Sequence, residues 1–481
     1  MRLFHFSAVA LAALDPAVEQ CTASTASSGP QDFEYNLRNI YKTAQLVETE
    51  TKLKVIHGKV PDWLETNWFR TGPGKFEFGD DEYACLSDPM AMFQRTSFKN
   101  GEATYQSTYQ GSLHHQWNEE ANAIVTPEMG TWGQPEWVNE TNMPDWLQTP
   151  EFVSDNAYVS FFAVRGRLFA SGETYHIWEV DPITLKGKRG INMGELLPKT
   201  LFKNSPNTDC KTVGTHLAHS RYDSDTDELY MSIMCMTRHN MPRISYVMYK
   251  IPNARSTELD AEPTQDIEEI WADSEIIFEV EGEHNDPMRL DFKQDYFHDF
   301  AVTENYIVFA LLSMKIDFLK MPQLMLQQQP LAAGAMYDDE AEGVFYVVNR
   351  HTGDLKKRFK APPNMSFHVL NAFEQDTDTV CLIWQSARDS QFIQLIYDVT
   401  SAPHGKQFSS VWFANLTGDY NDLINVYNHV APVQYPTRYE INLNKEDNSM
   451  LTPKLMHKDG HLPVGGADFP MVNKNKIKWV I

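Results

Sequence analysis

The sequence predicts an all-β protein arranged as a β-propeller, and three observations carry that reading. Helical periodicity is rare; short apolar or aromatic runs punctuated by Gly, Asn, Asp and Pro fill the chain instead. One hairpin form recurs as "IWEVDPITLKGK" (177–188), "FYVVNRHTGDLKKR" (345–358) and "RYEINLNKEDNSML" (438–451), with a looser copy in "HSRYDSDTDELYMS" (219–232). Each runs strand, Asp or Asn, short polar turn, strand, and Asp and Asn tolerate the left-handed backbone that such turns need. From residue 40 onward no Pro/Ser-rich linker divides the chain. A hairpin repeated along one long all-β chain suits radial blades, which leave only short sheet edges. The repeats are too divergent to count blades, and a pair of β-sandwiches is the structural alternative.

Residues 1–32 read as a leader ahead of a single domain over 33–481. "MRLFHFSAVALAAL" has one Arg and a short apolar stretch, like the h-region of a signal peptide, but Asp15-Pro16 follows where a small-residue cleavage site belongs. A cytoplasmic protein able to associate with membranes is therefore expected ahead of a secreted one. Residues 15–32 are polar and Ser/Thr-rich, the composition of disorder. Further along, Tyr306 to Leu312 is a continuous apolar run, as in a strand covered on both faces, yet His298 sits just ahead of it in "FHDF". "SMKIDFLKMPQLMLQQQPLAAGAM" (313–336) breaks the hairpin pattern with Leu, Met and Phe and few charges. It is either a core-packing segment or a greasy surface that dips into a membrane leaflet, with Leu319, Leu324 and Leu326 as its contacts. No run approaches the ~20 apolar residues of a membrane span.

Composition narrows the partners. With 65 acidic against 41 basic residues the net charge is −24, which repels phosphate backbones and excludes nucleic acid as an expected partner. The five cysteines show no CxxC spacing, so ordinary reduced core cysteines are expected. Three sequons (at Asn139, Asn364 and Asn415) are short enough to arise by chance. "TGPGK" at 71–75 lacks the first Gly and the Ser/Thr of a phosphate loop, and neither HExxH nor GxSxG occurs.

Of sixteen histidines, most read as ordinary; His114, His115, His404, His457 and His461 stand in polar, loop-like surroundings. His219, His298 and His368 differ, each at the start of a strand-like segment in apolar or aromatic company. Taken singly, each is more simply a satisfied core histidine. They are too far apart in sequence for a local motif, but strands of successive blades line one axis, where distant residues can converge. Neutral imidazoles converging there would favour iron, copper or zinc over magnesium or calcium.

At this point the chain resembles the carotenoid cleavage oxygenases, the family that includes the β-carotene oxygenases and the retinoid isomerohydrolases. The likeness begins at "GKVPDWLETNWFRTGPGKFEFGD" (58–80) and "SDPMAMFQRTSFKNGEATYQSTY" (87–109). It runs on through "SDNAYVSFFAVRGRLFASGET" (154–174), "LAHSRYD" (217–223), "YFHDFAVTENYIVF" (296–309), "FHVLNAFE" (367–374) and "GADFPMVN" (466–473). The resemblance implies a seven-bladed propeller with a non-haem Fe(2+) on its axis, held by four histidines. His219, His298 and His368 match three of them. Glu173 matches a carboxylate that orients a ligand, and Asp468 stands where the family has Glu. Departures are Pro89 for the Gly of Asp-Gly-Met, and Ser220-Arg221 for the Pro-His that follows the first ligand. His457 and His461 precede the Asp468 element, so by this alignment the fourth histidine has no counterpart and the propeller lacks its C-terminal end.

The implied activity is oxidative cleavage of a conjugated double bond of a carotenoid or apocarotenoid by O2, giving two carbonyl fragments. Retinoid ester isomerohydrolysis on the same scaffold, or an inactive lipid-binding propeller, are the alternatives. The 27 Phe, 20 Tyr and 11 Trp suit an aromatic tunnel and a core equally well.

Overall fold

The computed structural model describes residues 43–83, 88–134, 154–237, 244–255, 259, 263, 265–282, 293–317, 320, 323–324, 329–387 and 434–455. Residues 1–32, expected from the sequence to be a leader, lie outside them. Five sheets of four or five strands follow one another in chain order. The first runs from Thr66–Lys75 through Met90–Lys99 and Glu102–Tyr109 to Thr51–Lys52. The second is the meander Ser160–Val164, Arg167–Ser171, His176–Val180, Gly187–Asn192. The third is Cys210–His216, Glu228–Thr237, Ile244–Pro252 and Glu275–Glu281, with Arg221–Asp223 also on Glu228–Thr237. The fourth is Ala301–Val302, Tyr306–Leu311, Gly343–Asn349 and Leu355–Ala361, extended by Ser449–Met450. Val369–Asp376, Thr379–Ala387, Gln434–Asn442 and Lys454–Leu455 form the fifth.

Successive sheets pack face to face, and each interface is a core. Phe93 of the first meets Trp178 and Leu168 of the second, while Phe162 and Phe169 of the second meet Leu229 and Ile233 of the third. The strand Tyr306–Leu311 shows why its apolar run is continuous. Ile307, Phe309 and Leu311 pack with Tyr230 and Tyr246 of the third sheet, and Val308 and Ala310 with Val380 and Trp384 of the fifth. Alternate side chains leave opposite faces of a strand, so a blade buried between two others needs apolar residues at every position. Sheets stacked in chain order, with the second, third and fourth each sharing one core with the sheet before and another with the sheet after, make this a β-propeller.

The repeated hairpins are largely realised. His176–Val180 with Gly187–Asn192, Gly343–Asn349 with Leu355–Ala361, and Arg221–Asp223 with Glu228–Thr237 all pair antiparallel. The stretch 438–451 departs. Ser449–Met450 pairs in parallel with Phe359 and Lys360 of the fourth sheet, whereas Gln434–Asn442 pairs with Lys454–Leu455. Asn448 has φ 62, its N–H donates to the Arg358 carbonyl at 2.9 Å, and Asp447 accepts from the Arg358 N–H at 2.8 Å. The polar turn is thus captured by the neighbouring sheet edge.

Other expectations need correcting. Leu324 is 4% exposed and turns inward, and Met314 of the same stretch is also buried, so this leucine is core packing and not a membrane contact; Leu319 and Leu326 lie outside the described residues. Cys210 and Cys235 form a disulfide between neighbouring antiparallel strands, with Cα atoms 5.7 Å apart, while Cys381 is free and buried. His114 and His115 are buried on the helix Leu113–Ala121, which Ser112 caps by accepting from the His115 N–H. The Asp155 carboxylate accepts from the N–H groups of Leu113 and His114, adding negative charge where the helix dipole favours it. Asn364 is buried, its amide bonded to the Pro362 carbonyl, which is no place for a glycan; Asn139 and Asn415 lie outside the described residues. The TGPGK stretch is strand within Thr66–Lys75. No described helix is long and apolar enough to cross a membrane.

Candidate metal centre

His219, His298 and His368 each stand one to three residues before a short or edge strand, namely Arg221–Asp223, Ala301–Val302 and Val369–Asp376. These strands belong to the third, fourth and fifth sheets; Ala301–Val302 and Val369–Asp376 each begin their sheet's strand order, and Arg221–Asp223 pairs with Glu228–Thr237 beside Cys210–His216. The approach to each histidine is fixed by the backbone. The Leu217 N–H donates to the Ser232 carbonyl, and the Ala218 carbonyl accepts from Ser160 and Ser171 of the second sheet. Phe297 and Phe300 anchor the segment around His298 in the core, and the Tyr296 N–H donates to the Met314 carbonyl.

The three imidazoles meet. Nε2 of His298 lies 3.0 Å from Nε2 of His219 and 3.1 Å from Nε2 of His368. The ring planes cross at 61° to 82°, so the rings present edges to a common point and do not stack. All three donor atoms lie within 4.8 Å of one another, and this is the one His/Cys/Asp/Glu group among the described residues that could hold a metal ion. Burial, reinforced by the two neighbouring rings and Arg221, holds His219 well below the usual imidazole range, so its ring is neutral at pH 7.

Behind His298 stand two oxygen groups. Its Nδ1 is 2.6 Å from Oε1 of Glu173 and 2.7 Å from the Tyr296 hydroxyl, which in turn donates to Oε2 of Glu173. Burial and the Glu173 charge push the Tyr296 phenol well above its ordinary range, so it keeps its proton. A phenol that gives its proton to Glu173 offers its oxygen lone pair to Nδ1–H of His298. This network assigns the His298 proton to Nδ1 and leaves the Nε2 lone pair facing the other rings. Phe367 closes one side, its ring 4.9 Å from that of His298.

Tyr296 and Asp299 are absent from the residues singled out by sequence. Asp299 is 1% exposed beside His298, and it bonds to Arg221 and to the Val369 N–H. A carboxylate set between His298 and Phe300 in the aromatic stretch "FHDF" is the signal that points to it. Asp468 lies outside the described residues, as do His404, His457 and His461.

Comparison with known proteins agrees with the fold. The chain resembles a variant of Synechocystis apocarotenoid oxygenase at a TM-score of 0.58 and 16% identity, covering 89% of this chain and 73% of that one. A cobalt-substituted form of Synechocystis apocarotenoid oxygenase matches at a TM-score of 0.57 and 17% identity, with the same coverage. Among curated relatives, the β,β-carotene 15,15'-dioxygenase of Gallus gallus is 28% identical over 349 residues, which is 71% of this chain and 60% of that protein. The mitochondrial carotenoid-cleaving dioxygenase of Macaca fascicularis is 25% identical over 409 residues, 82% of this chain and 63% of that protein. These alignments thus span less than two thirds of either relative's length. The family model described as retinal pigment epithelial membrane protein matches residues 42–478, nearly the whole chain, and the protein belongs to that family.

Proposed function

We propose that the chain is a non-haem iron(II) dioxygenase that cleaves a conjugated double bond of a carotenoid or apocarotenoid. The observation that carries this reading is the convergence of three imidazole Nε2 atoms from three different sheets. Imidazole nitrogens bond such ions at about 2.1 Å, so two of them on one ion stand less than about 4.2 Å apart. The spacings of 3.0 and 3.1 Å therefore fit such an ion. An all-nitrogen donor set suits iron, copper or zinc, and the family resemblance selects iron.

When bound, iron(II) supplies the activation of O2, which spin rules keep sluggish toward a closed-shell alkene. The chain's own residues do the rest. His219, His298 and His368 would hold the ion, and imidazole ligands, which bind without charge, would leave it its full charge. Glu173 and Tyr296 fix the His298 tautomer and ring orientation, the role that partners of ligating histidines generally fill. The aromatic wall at Phe367 keeps water from one side of the centre and offers an apolar contact for a polyene. One double bond is broken and both atoms of O2 are consumed, one in each carbonyl product, so no external reductant is needed.

The test uses the purified chain, β-carotene and an apocarotenoid in detergent micelles, and ¹⁸O2. Aldehyde products carrying label, with about one iron per chain, are expected. A chain that holds iron but hydrolyses and isomerises retinyl esters without forming aldehydes would replace this reading with the isomerohydrolase one. A chain that holds no iron and turns over neither substrate would leave only lipid binding.

A further inference from the structure

Two residues next to the histidines form a bridge that the metal-centre reading does not itself use. The Asp299 carboxylate is buried and fully engaged. Its Oδ1 accepts from Nη2 of Arg221 at 2.6 Å and from the Phe300 N–H at 2.8 Å. Its Oδ2 accepts from the same Nη2 at 2.5 Å and from the Val369 N–H at 2.9 Å. Arg221 also donates through Nε to the Phe300 carbonyl at 2.9 Å. Arg221 lies two residues after His219, Asp299 directly follows His298, and Val369 directly follows His368. One carboxylate thus joins the three segments that carry the three rings.

We propose that Asp299, neutralised by Arg221, is a positioning residue that sets the mutual spacing of the three imidazoles before any metal arrives. A chelating set loses affinity when its donors must be gathered at the moment of binding, and pre-gathering removes that loss. Van der Waals packing alone tolerates small slips between blades. Charge-assisted bonds to a buried carboxylate have short, directional minima and resist them. Arg221 stands in the Ser220-Arg221 pair that departs from the family's Pro-His, so this clamp is built from the chain's own residues. The inference rests on the metal-centre reading, and the experiment separates the two.

Metal-free wild type, Asp299→Asn, Arg221→Met, Arg221→Lys and the double variant Asp299→Asn/Arg221→Met are titrated with Co(II), following its d–d absorption. Asp299→Asn and Arg221→Met are each expected to weaken Co(II) binding by about 10–100-fold and to change the band shape. Arg221→Lys should recover part of the affinity, because an ammonium neutralises the carboxylate but cannot also reach the Phe300 carbonyl. The double variant should bind no worse than the weaker single one, since both remove the same clamp. If Asp299→Asn fails to fold, Arg221→Met decides, because Arg221 is one-third exposed at 33%. Wild-type affinity and spectrum in both single variants, even with lowered melting temperatures, would overturn the proposal and leave the clamp a purely structural pair. A wild type that binds no Co(II) would overturn the metal-centre reading itself, and the clamp's role with it.

Discussion

His216 and His219 are three residues apart, yet their surroundings give them different work. His219 faces two other rings, whereas His216 is wholly enclosed, its Nε2 3.1 Å from the Tyr249 hydroxyl with Trp271 beyond. Burial pushes the His216 imidazole down to about 4. Its unfolded value is about 6.5, so below that pH the unfolded chain takes up a proton that the folded chain refuses. The His216 contribution is therefore fully present above pH 6.5 and lost progressively as pH falls toward 4, to a total of about 3 kcal/mol. Urea unfolding of wild type and His216→Gln at pH 7.5 and 4.5 should show the wild type losing more stability on acidification. An equal loss in both would mean that His216 is not the group that titrates. At this scale the sequence is informative where chemistry is unusual for its place. Three histidines entering apolar strands, and Glu173 in a matching motif, are legible on the page. Tyr296 reads as one more aromatic, and the partner of Asp299 lies 78 residues away, a distance that only the fold can close.

Hairpins are local, and most of them can be read from turn residues and flanking strands. What defeats the reading is competition from outside the segment. Ser449–Met450 is drawn to the fourth sheet because Asp447 and Asn448 bond the Arg358 backbone there, and nothing in "NKEDN" announces that partner. The helix at Leu113–Ala121 is too short to show a clear period among strands. The Cys210–Cys235 bridge is likewise a matter of register, since Val213 faces Cys235 and the bulges on either side bring Cys210 within reach. It closes a loop of 25 residues. Chain entropy for such a loop gives a stabilisation of about 3 kcal/mol relative to the reduced chain. The double variant Cys210→Ala/Cys235→Ala should lose about that much by denaturant unfolding, and wild type with dithiothreitol present should approach it. Identical midpoints for oxidised wild type and the variant would show that the bridge adds nothing to the packing of this sheet.

Across the whole molecule, the propeller divides its strength unevenly. Backbone ladders run within blades and the large apolar cores lie between them, while side-chain bonds such as those of Ser160 and Ser171 to the Ala218 carbonyl and of Asp299 to the Val369 N–H cross from blade to blade. Apolar contacts between blades lack direction, and slipping of one blade against the next is resisted by directional bonds such as those of Asp299. The candidate centre lies where three blades meet, taking one ring from each of the third, fourth and fifth sheets. A bound ion would add strong, directional bonds between blades at that point, which no strand pairing there supplies. Binding that is confined to the folded chain stabilises it by RT ln(1 + [L]/Kd), about 2.7 kcal/mol when the free metal is 100 times the Kd. The whole cooperative unit should feel this gain, because unfolding any one of the three blades releases a ligand. Thermal unfolding in a chelator and in graded Co(II) should show one transition that rises with metal concentration in wild type. His368→Ala should keep the fold and lose most of the dependence, with two rings left to bind. A wild-type transition indifferent to metal, or one that splits so that only part of the molecule is stabilised, would show that the three blades are not braced together at this centre.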